Sequence, residues 1–399
     1  MIVKFRDPLL AALSGLLLAA PFNYSSLFLL SWVGFIPMLF ALRDKSPVQG
    51  YLLGMICGLA LYGSGTRWVT HFVEQLWSPG LPVTLLIATL FWLYSAQLPA
   101  LLILAFLWLR QRSKVSDLLL FPLLTALFFA HFPMLFQAQL GESQSAFLVA
   151  LQAVSLTGVY GLDMLIALVN MLLFRWLFAT PLPWRDRIGL AVSALPLVWM
   201  GYGYLTLNHW DKQMASWPQQ RLGLVQKNLP PGESGYPQPG HSLAHPRALA
   251  LSQQLAHSGA RLVVWPEAGF DGYFARPSVA TALHRAAADM EAAILLQGME
   301  TTNSRQFNSA ALIGANGEET GRYQKIQRVA FGEYLPLLEA FPRTGSWVRE
   351  QLGGFFNRVA AGKTRARFAV DDMTVVPLIC YEALFPALVA NAARGGDGA

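Results

Sequence analysis

Val375-Val376-Pro377-Leu378-Ile379-Cys380-Tyr381-Glu382 is an apolar, β-branched run that arrives at a thiol. A run of this length and composition reads as a buried strand. It would deliver Cys380 to a strand end, just ahead of the helical pattern of Ala383–Arg394. The chain has only 2 cysteines, and the other, Cys57, lies inside an unbroken apolar stretch. A lone thiol at a strand end is a candidate nucleophile. A free cysteine is more often a small buried hydrophobe, so the surrounding sequence has to decide.

Upstream, Phe368–Val370 and Thr374–Tyr381 flank a turn at Asp371-Asp372. Further back, Arg221–Asn228, Arg261–Glu267, Ala292–Gly298 and Phe307–Ile313 read as strands, and Leu243–His257 and Ser278–Glu291 as helices. Strands alternating with helices predict an α/β or layered α+β domain over 213–399. Glu267, closing Trp265-Pro266-Glu267, and Lys325, closing Tyr323-Gln324-Lys325, stand at strand ends or in the loops after them, as Cys380 does. A thiol needs a base to become a nucleophile, and acyl transfer needs a cation or amide donors for the oxyanion. A carboxylate and an ammonium converging on one thiol supply both. His241 and His245 are four apart with no third ligand in view, and no Gly-rich phosphate loop is present, so neither a metal nor a cofactor is expected.

The first half reads differently. The 399 residues are 54% hydrophobic and only 13% charged, too few charges for a soluble protein of this size. The excess lies in residues 8–208. We expect a membrane domain over 1–212 with about seven helices, near 8–22, 25–42, 50–70, 82–109, 117–136, 157–178 and 188–207. The basic residues fall in alternate breaks: Lys4 and Arg6; Arg43 and Lys45; Arg110, Arg112 and Lys114; Arg175, Arg185 and Arg187. This positive-inside pattern puts the N-terminus in the cytoplasm, and seven crossings put the second domain outside. The first stretch reads as an uncleaved anchor. The net charge of +6 is explained by these loops, and no basic stripe interleaved with aromatics points to nucleic acid. Within the spans, Arg67 is expected to snorkel, Asp163 to face a polar cavity or interface, and Asn170 to bond across helices.

Trp265-Pro266-Glu267, Tyr323-Gln324-Lys325, Phe331-Gly332-Glu333-Tyr334-Leu335-Pro336 and Cys380-Tyr381-Glu382 together resemble the Glu-Lys-Cys triad of the nitrilase superfamily. A multi-span domain ahead of such a triad, with Leu156–Leu162 and Asn170 in a late span, is similar to the apolipoprotein N-acyltransferase family. The resemblance implies an αββα sandwich for the second domain. It implies that Cys380 takes an acyl chain from a phospholipid as a thioester and passes it to the α-amino group of a diacylglyceryl-cysteine lipoprotein. Glu267 would be the general base and Lys325 the oxyanion cation, with the Tyr381 N–H beside it. Glu333 and Glu382 would orient Lys325 or the thiol side. It implies a bacterial inner-membrane monomer with its catalytic domain on the periplasmic face. It also implies further strands beyond Gly395–Ala399, so the second domain is expected to be incomplete at its C-terminus. A membrane-tethered amidase or nitrilase with the same triad, and an inactive relative, are the alternative readings.

Overall fold

The structure, a computed structural model, describes residues 5–394 apart from 78, 137, 179–186, 227, 229–239, 269, 271, 331 and 335–358. Phe331, Leu335 and Pro336 of the quoted motifs, Lys4 and Arg185 of the basic loops, and Gly395–Ala399 lie outside the described residues. The chain divides into two compact units, Met1–Trp217 and Pro218–Ala399.

The first unit is helical. Its helices are α1 (Arg6–Asn23), α2 (Ile36–Ala41), α3 (Pro47–Gly65), α4 (Trp68–Trp77), α5 (Leu81–Ser95), α6 (Gln97–Arg112), α7 (Asp117–His131), α8 (Leu148–Leu151), α9 (Val154–Thr157), α10 (Val159–Phe178) and α11 (Arg187–Ala215). Their outward faces are apolar: Leu9, Leu13 and Leu16 on α1, Leu119, Leu123 and Leu127 on α7, and Leu197 and Leu205 on α11 are all exposed at helical spacing. Such a belt fits a lipid solvent and not water.

Three helices are long and apolar enough to cross a bilayer by length and composition: Leu81–Arg112, Val159–Phe178 and Gly189–Ala215. The other expected spans are shorter, interrupted or less apolar. Residues 25–41 form a 3-10 segment (Ser25–Trp32) and then α2, because the backbone turns at Val33-Gly34-Phe35. The span predicted over 50–70 ends at Gly65 and turns through Thr66-Arg67 into the amphipathic α4. In the long 81–112 stretch only Ala96 separates α5 from α6, and helical bonds from Ala96 N–H to the Trp92 carbonyl and from Ala100 N–H to the Ala96 carbonyl run across the break. Pro99 has no N–H to give the Ser95 carbonyl, which accounts for the break beside it at Ala96.

Helix α3 packs on α6 through Gly50, Gly54 and Gly58, spaced four apart. A Cβ on Gly54 would lie 2.6 Å from the Ala100 Cα, and one on Gly58 2.6 Å from the Ala96 Cα. Small residues let two backbones approach in a medium that offers no hydrophobic drive. Asn170 bonds across helices as expected: its Oδ1 accepts from the Phe35 N–H at 2.8 Å and its Nδ2 donates to the Ser31 carbonyl at 2.9 Å. Asp163 is fully buried at an interface, where its Oδ1 accepts from the Gly141 N–H at 2.7 Å.

The second unit is built on a mixed sheet: β1 (Leu222–Leu224), β2 (Leu262–Val264), β3 (Ala293–Thr302), β4 (Arg305–Ile313) and β5 (Glu319–Gln324) in spatial order. The first three are parallel, β3 to β5 antiparallel, and β6 (Val359–Ala360) joins β4 in parallel. A separate hairpin pairs β7 (Phe368–Val370) with β8 (Met373–Val375). The helices are α12 (Arg247–His257), α13 (Pro277–Met290) and α14 (Pro386–Arg394).

Side-chain alternation gives the sheet two faces. Val263, Ile294, Leu296, Ala311 and Ile313 pack against α12 and α13. Leu262, Ala293, Ala310, Leu312 and Tyr323 point to the other face, where Phe368, Val370 and Ile379 cover them. The strand expected to run into Cys380 stops at Val375. Pro377 has no N–H for a ladder, and residues 376–379 continue as extended chain into a 3-10 turn, Cys380–Leu384.

Candidate active site

The polar residues of the hairpin-bearing face form one connected site. On β3 and β4, Gln297 and Asn308 are diagonal neighbours, since Gln297 pairs with Ala310 and Asn308 lies two residues away on the same face. Their side chains bond at 2.6 Å. Asn308 Nδ2 donates to Glu267 Oε1 at 2.9 Å and to Glu333 Oε1 at 3.0 Å. Gln297 Oε1 accepts from the Ala268 N–H at 2.7 Å. Ala268 has φ +51°, so the chain turns sharply straight after Glu267.

Lys325 follows β5 directly, and its N–H bonds to the Asn308 carbonyl at 2.8 Å. Its side chain is 1% exposed. Nζ lies 3.0 Å from Glu333 Oε1 and 3.4 Å from Glu267 Oε1. Burial acts to lower the ammonium, but Glu267 and Glu333 together raise it above the ordinary lysine value. Lys325 is thus a fixed cation between two carboxylates. Glu333 is itself held, its Oε2 accepting from the Val329 N–H at 2.8 Å.

Cys380 has φ +52°, a left-handed conformation that costs a non-glycine residue about 1–2 kcal/mol. Strain of this kind, where extended chain enters a 3-10 turn, projects a side chain out of the backbone's path. The side chain is solvent-accessible. Burial and the Glu267 carboxylate, which accepts the thiol's hydrogen bond, push the thiol above its usual 9.0. Lys325 and the Tyr381 N–H act in the opposite direction. Carboxylate, ammonium, amide and thiol therefore meet at one sulfur.

Glu382 does not touch Lys325. It is fully buried, and its Oε1 accepts from Tyr323 Oη at 2.6 Å, the Ile326 N–H at 2.8 Å and the Gln327 N–H at 3.1 Å. Its Oε2 accepts from the Ile379 N–H at 2.8 Å. The carboxylate thus ties the loop after Lys325 to the residue before Cys380. The Tyr381 ring packs edge-on against Phe385, with centroids 5.1 Å apart.

Sequence reasoning missed Gln297 and Asn308. The signal was there: Gln297 lies between Leu295 and Met299 on its strand face and Asn308 leads into Ala310 and Leu312 on its own, positions that demand a buried partner. Among the described residues no group of His, Cys, Asp and Glu is arranged to hold a metal.

Comparison with known proteins gives the family. Residues 14–172 match the apolipoprotein N-acyltransferase N-terminal domain, and residues 240–397 match the carbon-nitrogen hydrolase domain. The apolipoprotein N-acyltransferase of Geobacter metallireducens is 30% identical over 98% of this chain and 76% of its own length. That of Pseudomonas putida is 29% identical over 98% and 76%, and that of Methylococcus capsulatus 26% over 94% and 73%. Among solved structures, a nitrilase-superfamily amidase from Nesterenkonia AN1 is 20% identical, over 45% of this chain and 64% of its own, with a TM-score of 0.31. The first of these relatives is similar along nearly the whole chain, helical unit and triad-bearing unit alike, and this chain is an enzyme of the apolipoprotein N-acyltransferase family.

Proposed function

We propose that the protein transfers an acyl chain from a phospholipid to the α-amino group of a diacylglyceryl-cysteine at a lipoprotein N-terminus, through a thioester on Cys380. The observation that carries this reading is the meeting of Glu267, Lys325 and the Tyr381 N–H at the Cys380 sulfur. Glu267 takes the thiol proton as sulfur attacks the ester carbonyl. The oxyanion forms against the Lys325 ammonium and the Tyr381 N–H. The C–O bond then breaks, Glu267 returns its proton to the departing alkoxide, and a lysophospholipid leaves. In the second half the amine attacks the thioester and gives its proton to Glu267. The C–S bond breaks, the proton returns to sulfur, and the amide is released. Asn308 and Glu333 position Glu267 and Lys325, and Glu382 positions the loop on which the sulfur stands.

Both substrates are anchored in a bilayer, which accounts for a membrane unit in the same chain. The basic breaks between helices support a bacterial inner-membrane location with the N-terminus in the cytoplasm and the catalytic unit on the periplasmic side. One copy supplies every residue the chemistry uses. The test is incubation of the full chain in detergent with phosphatidylethanolamine, followed by mass measurement of the Cys380 peptide. A hydroxylamine-labile increase of one acyl group is expected, absent in Cys380→Ala. An unmodified thiol in a preparation that still acylates lipoprotein would end the thioester reading.

A further inference from the structure

At one end of the helical unit, the loop after α2, the last turns of α6 and α10 and the start of α7 surround a cavity of about 640 Å³. Its walls are apolar, with Leu42, Phe106, Leu107, Met171 and Phe174. Its rim is charged, with Arg43, Lys45 and Arg110 beside Asp44 and Asp117. Two of the three cations already have counter-charges: Lys45 Nζ lies 2.8 Å from Asp7 Oδ2, and Arg110 Nε 3.1 Å from Asp117 Oδ2.

Arg43 has no carboxylate partner among the described residues. Its guanidinium carbon sits 4.6, 5.3 and 5.1 Å from the ring centroids of Phe40, Phe174 and Phe178. One hydrogen bond, at 3.0 Å, goes to the Phe178 carbonyl. A guanidinium carries five N–H donors in a rigid fork. Three aromatic rings fix its plane and one carbonyl uses one donor, which leaves a forked edge to offer at the cavity rim. Arg6 lies over the same Phe40 ring at 5.0 Å, and Arg175 stands next to Phe174 in the chain. On the rim itself three cations (Arg43, Lys45, Arg110) stand with two carboxylates (Asp44, Asp117), and Asp7 behind them pairs with both Lys45 and Arg6.

A planar cation on the rim of an apolar slot, in a helix bundle with a lipid-facing exterior, suits a group that is anionic at one end and hydrocarbon at the other. A free anion would have no use for the walls. We propose that this cavity binds the head-group phosphate of an anionic phospholipid, with Arg43 as the anchor and the Leu42–Phe106–Phe174 wall against the first carbons of a chain. This is a binding site for a resident lipid, built from residues that take no part in acyl transfer.

The test uses the full chain, delipidated in detergent. Phosphatidylglycerol, phosphatidylcholine and inorganic phosphate are added separately, and retained ligand is read by native mass spectrometry alongside melting temperature. Phosphatidylglycerol is expected to be retained at least about tenfold better than phosphatidylcholine and to raise the melting temperature with concentration. Arg43→Gln should lose about tenfold of that retention, and Arg43→Lys less. A photoactivatable phosphatidylglycerol on the unmutated chain should label peptides covering 40–46 and 171–178, which keeps the test sound should Arg43→Gln fold poorly. Equal retention of the two lipids, labelling confined to other helices, unchanged retention in a folded Arg43→Gln, or the same stabilisation by inorganic phosphate alone would each overturn the proposal.

Discussion

Replacing Glu382 removes an acceptor that four donors share. Three are backbone N–H groups, of Ile326, Gln327 and Ile379, and cannot turn elsewhere; the fourth is the Tyr323 hydroxyl. A buried donor left without a partner costs about 1–3 kcal/mol. The four do not add fully, because the two segments can separate and admit water. Breaking a buried charged network typically costs about 3–5 kcal/mol, and that is the expected local loss for Glu382→Ala. At about 1.4 kcal/mol per tenfold, amide exchange in peptides covering 322–330 and 376–384 should quicken by about 100-fold to 4,000-fold. Glu382→Gln keeps one acceptor oxygen for three donors but turns an NH₂ toward the Ile379 N–H. One bond is lost, for about 1–3 kcal/mol and a fivefold to 150-fold effect. The assay is hydrogen–deuterium exchange on the full chain in detergent, with β3 and β4 peptides as the internal reference. Exchange within threefold of the parent in Glu382→Ala would refute the idea that this carboxylate joins the lysine loop to the cysteine turn. An equal rise in the β3 and β4 peptides would refute its local character.

Lys325→Met should lower acyl transfer by about 10²–10³, the effect of losing one oxyanion donor. It should also reduce the thermal stability of the full chain, since it leaves Glu267 and Glu333 facing each other without their cation. Iodoacetamide labelling of Cys380 across pH should follow a thiol above the usual 9.0; Glu267→Gln removes a group that raises it, so labelling at pH 8 should speed up while acyl transfer falls, and labelling as slow as in the parent would count against a Glu267–thiol contact. Lys325→Met should shift the labelling profile the other way, to higher pH, because the ammonium favours the thiolate. Gly54→Ala puts a Cβ 2.6 Å from the Ala100 Cα and should cost about 1–3 kcal/mol in the helical unit, read as a lower melting temperature in detergent.

Much of this was legible because apolar pattern reports burial. The strands at 262–264, 293–302 and 305–313 and the helices at 247–257 and 277–290 fall within a few residues of where alternation and helical spacing put them. What escaped was structure held by backbone or by buried amides. Strand β5, Glu-Thr-Gly-Arg-Tyr-Gln, buries only Tyr323 and is held by its ladder to β4, so no hydrophobic test registers it. Yet it delivers Lys325. Gln297 and Asn308 were lost for the opposite reason: their surroundings were read as core, and the polar exceptions were not asked for partners. In the helical unit, hydropathy overstated helix length, since it weighs composition and is blind to the turns at Gly34 and Thr66.

The charge balance at the sulfur decides between two ways of activating it. In one, a lysine–thiolate pair exists at rest and attacks without help. Here the single ammonium already faces two carboxylates, at 3.0 and 3.4 Å, and a thiolate would be a third anion competing for one cation in a partly desolvated site. Burial first, and then the Glu267 carboxylate, push the thiol up against the opposing pull of Lys325. A thiol pushed upward favours the protonated sulfur at rest, and the thiolate is the readily oxidised form of an accessible cysteine. In the proposed reaction, attack then requires that the proton pass to Glu267 as the C–S bond forms. In that event the charge of the three side chains becomes less negative by the amount that appears on the carbonyl oxygen, and the ammonium that balanced Glu267 is free to balance the oxyanion. Lys325 is held by Glu333 throughout, so it need not move for this exchange of partners. Under that proposal the second carboxylate has a chemical reason to be there: Glu333, 3.0 Å from Lys325 Nζ, keeps the cation in place at the moment Glu267 becomes neutral.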